Sequence, residues 1–185
     1  MPRIQLPAAF IGSLVVVLAV LGCDRLQNAG TPVSFVTEYS PISFTFPSGW
    51  KLNPKEHPFD LQATSKFQDQ NTAIFVFKAE DIGEDSSPME TFEFQIDDLR
   101  SKRKNFEEME PLKETTIEGK RISEITYVGE KDASRNCYRF ALVEFLSDTN
   151  RFAIAIQIVR PGAWKKTKPI FEEIVRSATP LADSQ

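Results

Sequence analysis

The residues whose types can do chemistry in this chain are few and widely spaced. His57 is the only histidine among the 185 residues. It stands in Lys55-Glu56-His57-Pro58, so a transition-metal site there would have to draw on Glu56 or Asp60. Neighbours within one loop rarely define such a site, and a solvent-exposed loop histidine is the favoured reading. A Ser–His–acid triad would also need His57, and no nucleophile elbow leads into a helix anywhere in the chain. Three carboxylate pairs, Asp97-Asp98, Glu107-Glu108 and Glu172-Glu173, are candidates for acid–base or metal chemistry. Adjacent residues on a helix point apart, so these pairs are expected on solvated faces. Glu107, Glu108, Glu110 and Glu114 make an acidic patch, for which solubility is a sufficient role. Cys137 falls in an alternating apolar segment and reads as a small buried hydrophobe. There is no Gly-rich phosphate loop and no cysteine cluster. The expectation is a protein that is not an enzyme and needs no metal or cofactor.

Covalent chemistry is expected at one residue, Cys23. Leu18-Ala19-Val20-Leu21-Gly22-Cys23 closes the only long apolar run, which is uncharged from Ala8 to Leu21 and preceded only by Arg3. A short basic stretch and an apolar run of about 7–15 residues have the form of a secretory signal, and the run is shorter than the about 20 residues that a stable spanning helix requires. The hexapeptide resembles a bacterial lipobox, although Leu21 is larger than the residue usual at that position. The resemblance implies cleavage after Gly22 and a diacylglycerol thioether on Cys23. Buried acyl chains contribute about 0.8 kcal/mol per CH2, so two or three of them anchor a protein stably. Residues 1–22 are therefore read as a signal peptide, 23–40 as a lipidated N-terminus and leash, and 41–181 as a globular domain. Localisation is expected to be exported and membrane-anchored.

The full chain carries 22 Lys and Arg against 26 Asp and Glu, a net charge of −4. Loss of the leader removes only Arg3 and leaves the body one unit more acidic. Such a balance argues against nucleic acid as a partner. With Cys23 acylated, Cys137 has no disulfide partner, so the exported body must rely on its core. Fifteen Phe against two Trp and three Tyr suit a core filled by aromatic side chains.

Hydrophobic periodicity supplies the elements that would position these groups. Ile42, Phe44 and Phe46 alternate with Ser43 and Thr45, which predicts a half-buried strand. Pro47-Ser48-Gly49 predicts a tight turn into a hairpin partner carrying Trp50 and Leu52. Leu61–Phe67 is a weaker strand candidate and Thr72–Lys78 a strong one. Ser86 or Ser87, then Pro88, opens an amphipathic helix through Met89, Phe92, Ile96 and Leu99, with Phe106 as a further candidate. Its basic end, Arg100 and Lys102 to Lys104, complements the helix dipole. Leu112–Ile117 and Arg121–Gly129 predict a hairpin around Glu118-Gly119. A polar loop over Lys131–Asn136 precedes two long strands, Cys137–Leu146 and Phe152–Val159, expected at the sheet centre. In the second of these, Phe152, Ile154, Ile156 and Ile158 share one face while Ala153, Ala155 and Gln157 share the other. A last helix is expected to start near Thr167, because Pro169 is best tolerated in a first turn. Its apolar stripe is Ile170, Phe171, Ile174 and Val175. This order describes an α+β domain with an antiparallel sheet and helices packed on it.

Tyr39-Ser40-Pro41-Ile42-Ser43-Phe44-Thr45-Phe46-Pro47-Ser48-Gly49-Trp50, with Trp164 and the closing Ile170–Ser177 segment, resembles the PsbP-like family of exported α/β/α sandwich proteins. DcrB-like lipoproteins are the next resemblance. The first implies a non-enzymatic, peripheral or assembly role at a membrane complex, photosystem II in the cyanobacterial case. The candidate partner surface is Trp164, Lys165, Lys166 and Lys168, which would rest on anionic headgroups near the anchor; a core Trp with its Lys neighbours in water explains them equally well. The alternative is a periplasmic envelope lipoprotein that senses envelope state or carries a small apolar ligand, the latter in a cavity of at least about 300 Å³ between sheet and helix.

Overall fold

The computed structural model describes residues 30–54, 59–67, 69–83 and 86–182. Cys23, the stretch expected to be a signal peptide and His57 lie outside the described residues.

Among the described residues, ten strands and two α-helices follow in the order β1 (Val33–Val36), β2 (Ile42–Phe46), β3 (Lys51–Pro54), β4 (Phe59–Thr64), β5 (Gln70–Lys78), α1 (Pro88–Ser101), β6 (Lys104–Ile117), β7 (Lys120–Lys131), β8 (Ser134–Phe145), β9 (Asp148–Val159), α2 (Trp164–Arg176) and β10 (Thr179–Pro180). Seven strands form an antiparallel sheet in the order β3-β4-β5-β9-β8-β7-β6, and β1-β2-β10 form a smaller one. The expected α+β class holds, with β9 at the centre of the large sheet and β8 beside it.

The alternation along β9 divides the core in two. Phe152, Ile154 and Ile156 pack with Phe92 and Ile96 of α1 on one face. Ala153, Ala155 and Val159 face Phe171, Ile174 and Val175 of α2, together with Ile42, Phe44 and Phe46 of the small sheet. Small residues on this second face let α2 and β2 approach the sheet closely. The result is three layers, helix on sheet on helix, with the small sheet sharing the α2 side.

Several expectations change. Pro47–Gly49 does not join a hairpin: β2 pairs with β1 and β10, while β3 pairs with β4. Gly49, at φ +80°, turns the chain from one sheet into the other. The folded body also begins before residue 41, since β1 pairs with β2 and Thr37 and Ser40 are buried. The first helix stops at Ser101, leaving Phe106 on β6, where it stacks on Tyr127. The rest of that helix is as expected: Phe92 and Ile96 are buried with Met89 and Leu99 packed beside them, Ser87 Oγ accepts from Glu90 N, and Glu90 Oε2 accepts from Ser87 N at 2.7 Å. The loop at Lys131–Asn136 shrinks to Asp132-Ala133, both at positive φ, which is the twist of a two-residue hairpin turn.

The start of α2 differs as well. The helix begins at Trp164, so Pro169 lies in its second turn. Pro169 forfeits one backbone hydrogen bond there. Burial of Trp164 and Thr167 against the sheet compensates and keeps the extra turn helical.

Candidate interaction groove

Strand register carries a row of polar side chains across the α2 face of the sheet. Thr72 of β5, Gln157 of β9, Arg139 of β8, Thr126 of β7 and Glu110 of β6 are successive cross-strand partners. Arg139 is 1% exposed. Its guanidinium donates to Gln157 Oε1 and Glu124 Oε2, and Gln157 Nε2 donates at 3.1 Å to the carbonyl of Phe171 in α2. A buried guanidinium is tolerable only with such partners. The row therefore fixes both the strand register and the seat of α2.

Glu110 ends the row at the edge strand. Its carboxylate accepts from Trp164 Nε1 at 3.1 Å, Lys168 Nζ at 2.7 Å and Thr126 Oγ1 at 3.4 Å. Trp164 and Lys168 are one helical turn apart, so both reach the same acceptor. Burial pushes the Glu110 carboxyl up, but the donations from Lys168 and Trp164 and the Lys168 charge outweigh this and hold it below the usual carboxylate range.

Between α2 and this edge lies an open groove of about 370 Å³, lined by Glu110, Pro111, Leu112, Lys113, Thr126 and Lys168. A recess of about 50 Å³ against Lys113, Glu124, Arg139, Glu172 and Arg176 adjoins it in the fold. Register shifts break β6 at three places, between Lys104 and Glu107, Glu108 and Glu110, and Glu110 and Lys113. Such bulges and Pro111 blunt a sheet edge against indiscriminate pairing. Met109 and Leu112 nevertheless stand 42% and 49% exposed beside the groove.

The four candidate surface residues do not form one surface. Trp164 is buried and Lys168 is held by Glu110. Lys165 and Lys166 are exposed, and helical spacing puts them on different flanks of α2. Among the carboxylates, Glu107, Glu108 and Glu114 are exposed on a strand, not a helix, and Glu110 is engaged by α2. Among the described residues no group of three or more His, Cys, Asp or Glu is placed to hold a metal. Cys137 is buried, donates to Met109 Sδ at 3.6 Å, and has its thiol pushed up by burial and by nearby Glu110. Arg100 and Arg103, read from sequence as dipole complements, also lie over aromatic rings, Arg100 over Phe106 and Tyr127 and Arg103 over Tyr138. Sequence reasoning missed Glu110 as a clamp, Arg139 as a buried ion and Lys120. The last donates to the carbonyls of Arg176 and Ala178 at 2.5 and 3.1 Å and so closes the C-terminus of α2.

No family model matches the sequence, and no curated protein matches it. Solved structures do resemble the fold. The cyanobacterial PsbP (CyanoP) of Synechocystis sp. PCC 6803 superposes with a TM-score of 0.60 at 10% identity, over 87% of this chain and 99% of that one. LpqN of Mycobacterium tuberculosis, involved in cell envelope biogenesis, gives 0.55 at 13% identity, over 82% and 90%. The Ran-binding protein Mog1p of Saccharomyces cerevisiae gives 0.55 at 12% identity, over 81% and 95%. At these identities the likeness shows the fold alone, and the fold is the α+β sandwich of PsbP.

Proposed function

We propose that the chain is a lipid-tethered, non-enzymatic accessory protein that docks on a membrane-protein complex through the β6 edge and the groove beside α2. Exposed Leu112 at the mouth of that groove carries the reading, because a half-exposed leucine beside an open cavity offers an apolar anchor for a partner. The lipobox-like segment ending at Cys23 supplies the tether. No helix among the described residues is long and apolar enough to cross a membrane. The PsbP fold supports photosystem II as the complex in a photosynthetic cell. An envelope complex is the counterpart elsewhere.

The test is co-purification of tagged protein from mildly solubilised native membranes, beside Cys23→Ala and Leu112→Asp variants. The expected result is one set of membrane subunits recovered with the native protein and strongly reduced with either variant. Photosystem subunits would identify the photosynthetic case and envelope subunits the other. Equal recovery with Leu112→Asp would contradict the groove, and unchanged membrane retention of Cys23→Ala would contradict the lipid.

A further inference from the structure

The chain enters the folded body beside a second cavity, on the opposite flank of α2 from the groove. This cavity measures about 280 Å³ and is lined by Gly30, Pro32, Phe46, Pro47, Ile170 and Ile174, among others. Its position is fixed at the chain's entry point. Gly30 lies so close to β2's turn that a Cβ there would sit 2.7 Å from Ser48 Cβ, so the backbone is pressed against that turn. Cys23 lies seven residues before Gly30. Even fully extended, that connection spans at most about 25 Å.

We propose that this cavity and its rim form the face the protein lays on the lipid bilayer, with the headgroup–acyl boundary as its partner. The inference rests on the reading of Cys23 as the lipid-bearing residue. The tether length then allows few alternatives, since the cavity mouth cannot leave the membrane by more than the reach of those seven residues. The rim suits a bilayer. Pro32 and Val33 are exposed, Pro47 and Ile170 are half-buried, and helical spacing puts exposed Lys166 on the flank that carries Ile170 and Glu173. One cation and one carboxylate leave that flank near neutrality, so apolar contact and not attraction to anionic lipid would drive seating. A short tether raises the effective concentration to about millimolar, and so a weak contact suffices to orient the body. With this flank toward lipid, the Leu112 groove on the other flank stays open to a protein partner.

The experiment uses full-length protein produced with lipoprotein processing, purified from membranes and reconstituted into phosphatidylcholine vesicles containing brominated acyl chains. Ile170→Cys, Leu112→Cys and Ser134→Cys are each labelled with an environment-sensitive fluorophore. Quenching is expected to be severalfold stronger at position 170 than at 112 or 134, and Pro47→Asp is expected to diminish it. Equal quenching at the three positions, or strongest quenching at 112, would overturn the orientation. The intact mass of the same preparation reports on the anchor separately. A modified Cys23 with uniform quenching removes only the orientation, whereas an unmodified Cys23 removes the anchor and this inference with it.

Discussion

Lys168 on α2 and Glu110 on β6 meet across 2.7 Å, a contact that joins the helix layer to the free edge of the sheet. Both side chains are about one-third exposed, so the ion pair alone is weak. Its weight comes from Trp164, whose indole is buried and donates to the same carboxylate. Removing Glu110 would leave a buried N–H without an acceptor. Glu110→Ala is therefore expected to destabilise the fold by about 1–3 kcal/mol, and Glu110→Gln by less. Urea unfolding of the variants checks this, and wild-type stability in Glu110→Ala would contradict the clamp.

The same carboxylate gives a pH dependence with a definite sign. Its folded pKa lies below the ordinary 4.5. A depressed carboxyl contributes stability that is fully present above its unfolded value and lost as pH falls through the folded value. Between about pH 7 and about pH 3 the urea midpoint of the native protein is expected to fall more than that of Glu110→Gln. Parallel curves would show that Glu110 does not contribute.

Arg139 tests the buried row. Glu124→Ala strips the guanidinium of its carboxylate partner and is expected to cost about 3 kcal/mol. The double variant Arg139→Met, Glu124→Leu removes both charges and is expected to be more stable than Glu124→Ala alone. A double variant with the two losses simply summed would mean that the pair is not coupled.

Lys120 is buried at the end of α2 with two backbone carbonyls as acceptors. Lys120→Met keeps the apolar stem and removes the donor, with an expected loss of about 1–2 kcal/mol. Amide exchange should accelerate in the last turn of α2 and leave α1 unchanged. Exchange that rises equally in both helices would point to global destabilisation instead.

How much of this was legible in the sequence depends on how far apart the partners lie. The two faces of β9 and the Ser87–Glu90 capping box are set by residues within a few positions of one another, and they read directly from spacing. The partner of β2 does not. Pro47–Gly49 specifies a turn but not whether the next strand returns to the same sheet, and the closing strand β10 is contributed from the far end of the chain. The start of β6 was hidden because an edge strand exposed to solvent keeps charged residues throughout, as in Lys104–Ile117, and lacks the alternation that marks a buried one. Glu110 gave no local signal. Its partners Trp164 and Lys168 are 54 and 58 residues away and meet it only once α2 is seated. Pro169 alone points to a helix start near Thr167, but contacts of Trp164 with a distant strand outweigh that local preference.

In the proposed function a membrane-protein partner sits on the β6 side of the α2 groove. Site-specific photo-crosslinking in native membranes tests it most directly, with the photoreactive residue placed at Leu112 or, as control, at Phe94. Phe94 is 66% exposed on α1, on the other side of the large sheet. A discrete adduct is expected between position 112 and a membrane subunit, lost with Cys23→Ala and missing from position 94. Adducts from position 94 with none from 112 would contradict it.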